Sequence, residues 1–519
     1  MNSGSEALAR DMRILSSGEM AALEMNAEYF GVSTLQLMEN AGGAVAREIA
    51  KRFVVGSGVT IFAGTGGNGG DGMVAARHLS CLGYEVSLVL VGSPSDIRRE
   101  IVRRNWEAVT FMADSIKTVV AEDSALIPKV EGKVAVAALV GTGARGPLRH
   151  PVSDAVRILN GTSCFKVAID IPAGVDPDTG QVFGEAFRAD LTVTFHGAKR
   201  GLLEAKRNVG ELLVTDIGLP REAETYVGPG DVLLARKPRP YETHKGDYGR
   251  VLVIGGSETF SGAPYLAAMA ALRTGVDIVY VAAPADTAHD IASMSPALIT
   301  IKLKGDHLST DSCDVLADFI EKSSAVVIGP GLGLHKETVV AVRELIGAAE
   351  KSKVPLLMDA DALKAFAEFK HRVDSPLVFT PHGGEFQILT GRELPKELED
   401  RVELVRATGE ELNATILLKG PVDVVSDGKR VKLNRVVHNP GMTVGGTGDV
   451  LSGIVGALLS QGFDPFRAAV SGIFINGAAG DFAAHEKGYH LLPTDIIEWI
   501  PNVMDDPMSH AAVRRVQGS

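Results

Sequence analysis

Val59-Thr60-Ile61-Phe62-Ala63-Gly64-Thr65-Gly66-Gly67-Asn68-Gly69-Gly70-Asp71-Gly72 runs from a short apolar stretch into a cluster of glycines. DGMVAARHLSCLG (71–83) follows with helical spacing, and YEVSLVLVG (84–92) is a second apolar run that ends in glycine. Strand, glycine turn, helix and strand make one β-α-β unit. Strands apolar on both faces belong in a parallel sheet covered on both sides. The rhythm recurs in VAVAALVG (134–141), FKVAIDIP (165–172), LTVTFHG (191–197) and LLVTDIG (212–218). It breaks near residues 220–248, where prolines, a Gly-Pro-Gly and mixed charges read as a domain joint. It then restarts in RVLVIGG (250–256), DIVYVAAP (277–284), AVVIGPG (325–331), VPLLMDA (354–360), LVFTPH (377–382) and TILLKG (415–420). VDVVSDGKRVKLN (422–434) reads as a hairpin around Asp427-Gly428. Ahead of the first strand, residues 16–30 and 34–53 read as two amphipathic helices. The halves share a rhythm but not their motifs, so no internal repeat is expected.

Composition narrows the class. At ~150 residues per domain, a chain of this length holds two or three domains. Its 519 residues are 45% hydrophobic and 22% charged, a globular balance. A net charge of −12 argues against a general nucleic-acid binder. No apolar run approaches the ~18 residues of a membrane span. The first residues, MNSGSEALARDMRILSSGEM, lack the apolar core of a signal peptide, so a cytoplasmic protein is expected. Cys81, Cys164 and Cys313 form no CxxC, which excludes that type of zinc or redox site and fits a reducing compartment.

The first glycine cluster contains a GxGxxG. Backbone N–H groups at a helix start attract phosphate, and glycine lets a ligand come close. The common dinucleotide fold also wants an acid ~20 residues on. SLVLVGS (87–93) has none there, so hydride transfer loses its support. The simpler reading is a bare tight turn, but Asn68 and Asp71 add groups that bind polar ligands. A second turn of this kind is Gly141-Thr142-Gly143-Ala144-Arg145-Gly146. Two such turns at one sheet edge suit a ligand with two phosphates. Asp170, at the end of VAIDIP, is placed either for acid–base work or as a cap. Lys199, in FHGAKRG, is a polar group at another strand end.

GTGGNGGDG, LVGTGARG, DIPAGVD and TFHGAKRG together resemble the epimerase domain of NAD(P)H-hydrate repair enzymes, over roughly residues 10–220. The resemblance implies that Gly67, Asn68, Gly69, Gly70, Asp71 and the turn Gly141–Gly146 hold the pyrophosphate of the hydrated dinucleotide. It implies that Asp170 and Lys199 are the acid–base groups, and that potassium is bound close by, with Asn68 a ligand. The chain departs from the family pattern at Gly67, which stands for an asparagine, at Ala137, for the ion-binding aspartate, and at Ala173, for a serine. A methyl group cannot ligate a hard cation, which takes oxygen.

In the second half there is no GxxxxGK[ST] and no GxSxG. His485-Glu486 and His490 are one residue too far apart for a helical zinc motif and read as surface residues. The strongest signal is Asn439-Pro440-Gly441-Met442-Thr443-Val444-Gly445-Gly446-Thr447-Gly448-Asp449, directly before the apolar stretch VLSGIVGALLSQG. Glycine N–H groups at that helix start would make an anion hole. Asp449, in the first turn, would take a proton from a substrate hydroxyl beside a bound phosphate. Other polar turns gather at strand ends: Gly255-Gly256-Ser257, Gly329–Gly333, Asp359, Asp361, His382–Glu385 and Lys419-Gly420.

HKGDYGRVLVIGGS, GPGLG, DADAL, TPHGGEF, LLKG and NPGMTVGGTGDVLSGI resemble the ribokinase-like dehydratase domain of the same repair system, over about residues 228–500. The resemblance implies that Lys419, Gly420, Pro421, Val422, Asp423, Gly445, Gly446, Thr447 and Gly448 meet the adenine nucleotide. Ala263, Gly331, His382 and Asp449 would meet the hydrated nicotinamide. ADP, or ATP, is implied as phosphoryl donor, with Mg2+.

The expectation is an α/β chain of two domains. Residues 1–222 would be a Rossmann-like three-layer epimerase domain, and 223–519 a ribokinase-like dehydratase domain. Together they would repair the hydrates NADHX and NADPHX, with no nucleic-acid or membrane partner. A homo-oligomer is implied, for which the N-terminal helices offer an interface. Two rivals stay open. Ribokinase-like scaffolds also phosphorylate small-molecule hydroxyls, and epimerase-like domains also serve as binding modules in RNA-associated proteins.

Overall fold

A computed structural model describes residues 13–143, 145–435 and 439–514. The chain divides into two compact units, residues 1–220 and 221–519. No helix among the described residues is long and apolar enough to cross a membrane.

The strands of the first unit are β1 (Ile14–Leu15), β2 (Gly58–Ala63), β3 (Glu85–Val91), β4 (Ile116–Ala121), β5 (Val134–Ala138), β6 (Phe165–Ile169), β7 (Leu191–Phe195), β8 (Ala198–Lys199) and β9 (Glu211–Thr215). Seven of them form a sheet in the order β4-β3-β2-β5-β6-β7-β9, and every pairing is parallel. β1 and β8 make a separate parallel pair. The chain runs from β2 outward to β4, then returns to the other side of β2 at β5. The crevice between β2 and β5 is therefore the switch point, where open parallel sheets bind ligands. Both early glycine turns stand at it. The N-terminal helices Ser17–Tyr29 and Thr34–Arg52 start in capping boxes, Ser16 with Glu19 and Ser33 with Gln36. The first is not a one-sided helix: its buried residues, Ser17, Met20, Ala22, Asn26, Ala27 and Tyr29, are spread around its circumference.

The second unit begins inside the stretch read as a joint. Short helices Arg221–Thr225 and Pro229–Leu234 carry Ala223 and Val232, both fully buried, as is Val227 between them. Its strands are β10 (Arg250–Ile254), β11 (Ile278–Pro284), β12 (Ile299–Leu303), β13 (Ala325–Ile328), β14 (Leu356–Met358), β15 (Leu377–Phe379), β16 (Thr415–Leu418), β17 (Asp423–Ser426) and β18 (Val431–Asn434). The order is β12-β11-β10-β13-β14-β15-β16-β17-β18. Pairing is parallel as far as β16, and the β17–β18 hairpin closes the sheet antiparallel. The switch point lies between β10 and β13. Both sheets are thus wound alike, three strands out from the centre and the rest back past it. This topological likeness was not legible from the motifs.

Strands β4 and β12 were not read from the sequence. Each is an edge strand with exposed positions, Lys117 in β4 and Ile299 and Lys302 in β12. Neither forms the unbroken apolar run that marks a central strand.

Helix Thr447–Ser460 is buried from Val450 to Ser460. It lies tight on two neighbours. A Cβ on Gly456 would fall 2.3 Å from Val327 of β13, and one on Gly453 would fall 2.0 Å from the Ala267 carbonyl of helix Gly262–Arg273. Gly453→Ala should therefore lower the thermal unfolding midpoint. The overpacking cost of ~1–3 kcal/mol outweighs the ~1 kcal/mol gained in helix propensity. A midpoint equal to or above the parent's would contradict this packing.

Candidate active sites in the two units

In the first unit the chain leaves β2 through Gly64, and helix Gly67–Cys81 starts at once, with Gly66 as its N-cap. The turn is too tight for side chains: a Cβ on Gly69 would lie 1.8 Å from the Gly64 carbonyl oxygen. Gly67, Asn68, Asp71, Gly141, Thr142 and Asp170 come together around a cavity of 120 Å³. Gly70 lies against Met38 instead, and Gly146 lines a smaller neighbouring cavity beside Gly141. Gly143 is open, and Ala144 lies outside the described residues. Arg145 is committed within the protein: its guanidinium donates to Asp176 at 2.9 Å, Asp178 at 2.8 Å and Ser17 at 3.0 Å.

Asp170 caps β6 with φ 63°, a left-handed conformation that costs ~1–3 kcal/mol for a residue other than glycine. The Ile171 N–H closes back onto the Ile169 carbonyl at 2.8 Å, so the turn is a γ-turn. His196 ends β7 in the same way, with φ 63° and the Gly197 N–H on the Phe195 carbonyl at 2.6 Å. These two bends aim Asp170 at Lys199. Lys199 Nζ, fully buried, donates to Asp170 Oδ1 at 2.5 Å, Thr194 Oγ1 at 3.1 Å and the Phe195 carbonyl at 3.2 Å. The short β1–β8 pairing fixes the backbone of Lys199.

Two charged residues of this cavity were not read from the sequence, Glu24 and Arg99. Neither is marked by a local motif, because helix Ser17–Tyr29 brings Glu24 in from far along the chain. Burial, then the Asp170 charge, raises the pKa of Glu24. Burial, then Asp170 and Glu24, raises that of Asp71 well above the usual carboxylate range. Burial and the Asp170 charge thus favour the neutral forms of Glu24 and Asp71, beside an Asp170 that is ion-paired.

The potassium implied for this unit can be tested on its donors. Asn68 Nδ2 donates to the Ile169 carbonyl at 2.7 Å, and its buried Oδ1 has no partner among the described residues. Ala137 and Ala173 are buried in an apolar cluster with Leu139 and Phe187. One side-chain oxygen and two methyl groups are a poor set for a cation that takes a shell of oxygens. These side chains do not fit the site.

In the second unit, His382, Lys419, Gly420, Pro421, Asp423, Thr447 and Gly448 line a cavity of 410 Å³, with Asn434, Met442, Leu451 and Ile473 as further walls. Gly446 is the N-cap of helix Thr447–Ser460 and has φ 100°. Gly445 beside it has open space where a side chain would be. Thr447 Oγ1 donates to the Met442 carbonyl at 2.9 Å, which curls the loop around the helix start. Asp423 is partly spent on structure, accepting from the Gly420 N–H at 2.9 Å and Asn434 Nδ2 at 2.8 Å. Val422 packs on the apolar core. Ala263 and Gly331 meet each other at the switch point: a Cβ on Gly331 would lie 3.4 Å from that of Ala263. His485, Glu486 and His490 are exposed.

An ion-paired lysine, here partly exposed to the cavity, again organises the centre. Lys419 Nζ donates to Asp359 Oδ1 at 3.1 Å, and Ser452 Oγ donates to Asp359 Oδ2 at 2.6 Å. Burial works against the Lys419 charge, but Asp359 and Glu385 outweigh it and raise its pKa. Asp449 is left without a hydrogen bond from the described residues, and burial followed by the charge of Asp359 raises its pKa to about 7. Glu385 is held by the His382 N–H at 2.9 Å. Mg2+ takes hard oxygen ligands and keeps phosphate oxygens and waters in its shell. The carboxylates of Asp449 and Glu385, the second close enough for its charge to raise the pKa of the first, fit that chemistry.

Comparison with known proteins agrees with both halves. A family model described as YjeF-related protein N-terminus matches residues 34–201, and one described as NAD(P)H-hydrate dehydratase matches residues 251–502. A protein of Pyrobaculum aerophilum named bifunctional NAD(P)H-hydrate repair enzyme Nnr is 47% identical over 500 residues, covering 95% of this chain and 98% of its own. A Hyperthermus butylicus protein of the same name is 43% identical over 504 residues, covering 96% and 94%. Among solved structures, the ADP/ATP-dependent NAD(P)H-hydrate dehydratase of Bacillus subtilis, co-crystallized with ATP/Mg2+, is 26% identical with a TM-score of 0.48 over 54% of this chain and 98% of its own. With both halves matched and near-full-length relatives above 40% identity, the chain belongs to the family of bifunctional NAD(P)H-hydrate repair enzymes.

Proposed function

We propose that this chain returns hydrated NADH and NADPH to use. The first unit interconverts the R and S hydrates. The second removes water from the S hydrate with a nucleoside diphosphate or triphosphate, giving AMP and phosphate from ADP. One observation carries the reading: each unit keeps an acid beside a glycine cradle and an ion-paired lysine, Asp170 with Lys199 and Asp449 with Lys419.

In the second unit the nucleotide occupies the 410 Å³ cavity, with Lys419, Gly420 and Gly448 along its phosphates and the Gly445–Gly448 N–H groups around the transferring phosphoryl. The hydrated nicotinamide lies toward Ala263, Gly331 and His382. Asp449 takes the proton of the ring hydroxyl as its oxygen attacks the terminal phosphorus. The bond to the nucleotide breaks, and a poor leaving group becomes phosphate. The ring nitrogen lone pair then expels phosphate, and loss of a ring proton restores the conjugated dihydronicotinamide. Asp449 and Glu385 would hold Mg2+ nearby, and the ion would supply charge neutralisation for the phosphates. Asp359 accepts from both Lys419 and Ser452, and so keeps the lysine aimed at the cradle.

In the first unit the buried Asn68 Oδ1, without a partner among the described residues, accepts from the substrate. Epimerisation needs the hydroxyl to leave and return on the opposite face. Glu24, whose pKa burial raises, protonates the departing hydroxyl, and the ring nitrogen drives it out as water. Asp170, ion-paired to Lys199, takes the proton of the water that adds from the other side. No step uses potassium. A homo-oligomer in a cytoplasmic setting, without nucleic acid, belongs to the same proposal.

The primary test is recovery of NADH absorbance from S-enriched hydrate with Mg2+ and either ADP or ATP. Recovery with one nucleotide names the donor, and none with either refutes the dehydratase. Because Asp449 must be ionised to act, kcat/KM should rise with pH through a limb near 7. Asp449→Asn should cut the rate ~100-fold or more. It should also raise the thermal midpoint above pH 7, since it removes a charge that burial disfavours. With racemic hydrate, wild type should run to completion, while Asp170→Asn and Glu24→Gln stall near half. Completion by either variant at the parent rate removes that residue from the mechanism. Exchanging K+ for Na+ should leave the epimerase rate unchanged, and a collapse on exchange would restore a cation to the site.

A further inference from the structure

Away from both cavities, the loop after β12 and the start of helix Lys336–Ser352 bring two histidines and a glutamate together. The rings of His307 and His335 lie 3.9 Å apart between centroids, at 38°. One ligand-type atom from each of His307, His335 and Glu337 falls within 4.8 Å of the other two. His307 Nε2 is 3.2 Å from Glu337 Oε2. Its other nitrogen, Nδ1, is 2.5 Å from Asp306 Oδ1. His335 Nδ1 accepts the Glu337 N–H at 3.3 Å, which seats that ring at the helix start.

We propose that His307, His335 and Glu337 form a site for a divalent transition metal of the zinc class, with Asp306 as the carboxylate that orients His307. Two imidazoles and one carboxylate are the donor types that Zn2+, Co2+ and Ni2+ take, and three protein ligands leave a coordination position for water. A carboxylate on the far nitrogen fixes the tautomer that exposes Nε2 to the metal.

The framework behind the cluster is rigid. Thr338, fully buried, donates through Oγ1 to the Leu308 carbonyl at 2.8 Å, bracing the ligand-bearing loop against the ligand-bearing helix. The site also connects to the switch point. The Asp306 carbonyl accepts the Glu258 N–H at 3.1 Å, and Phe260 of the same loop packs where a Cβ on Gly331 would lie, 2.8 Å away. A bound metal would fasten the loops after β10, β12 and β13 to one another, and so hold still the wall formed by Ala263 and Gly331.

The test is a Co2+ titration of the full, untagged chain, stripped with chelator and kept in excess Mg2+ so that oxygen-only sites are filled. One equivalent should raise visible d–d bands of imidazole-bound Co2+, and one equivalent of Zn2+ should discharge them. Asp306→Asn should weaken Co2+ by about 10–100-fold with the fold intact, and the double variant His307→Ala/His335→Ala should abolish the bands. A chain that gives no saturable spectrum, or one whose spectrum survives the double variant, overturns the proposal and leaves the cluster an ion-pair network without metal.

Discussion

Each unit is built around a lysine ammonium held by an aspartate at the carboxyl end of a parallel strand, fully buried in the first unit and at the wall of the cavity in the second. Lys199 meets Asp170 after β6, and Lys419 meets Asp359 after β14. A buried charge without a partner is costly enough that removing one member of such a pair destabilises by ~3–5 kcal/mol. The surrounding chain bends to keep the pairs intact. Asp170 itself takes a positive φ, and after Asp359 the strain falls on Ala360, with φ 50°. In both sheets the aspartate follows the second strand beyond the switch point, so one winding places the same ion pair beside two different crevices.

The pairs divide the labour of the acids. In the second unit Asp359 spends both oxygens on Lys419 and Ser452, and its charge disfavours ionisation of the unpaired Asp449. In the first unit Asp170 is the paired acid, and its charge keeps Glu24 and Asp71 toward their neutral forms. Carboxyls whose environments push them apart are what acid–base chemistry near neutral pH requires. The burial of Lys199 makes the first site intolerant of an unpaired lysine, which couples stability to function there.

Glycine serves both units for a second reason. At Gly69 and Gly453 the backbone of one element lies against the backbone of another, at distances where a Cβ would sit 2.0 Å or less from a carbonyl oxygen. These contacts set the depth of the cradles. The departures at Ala137 and Ala173 lie in the apolar packing behind the first cradle, and they remove oxygens without disturbing the Asp170–Lys199 pair.

The alternation of central strands and helices along the chain, the glycine turns at the strand ends, the β17–β18 hairpin and the places of Asp170 at a strand end and Asp449 at a helix start were legible in the residues, because each depends on local spacing or on backbone freedom. Tertiary structure alone decided the rest. The edge strands β4 and β12 are half exposed, so their hydrophobic pattern is diluted. Arg145 looked like an anion ligand within its turn, and only the approach of Asp176 and Asp178 engaged it. Glu24 reaches its cavity from a helix far along the chain from the other residues that line it. His307 and His335 are separated in sequence and meet only through the winding of the sheet. Local chemistry sets which turns and strands form, whereas burial and charge pairing between distant residues arise only when the chain closes on itself.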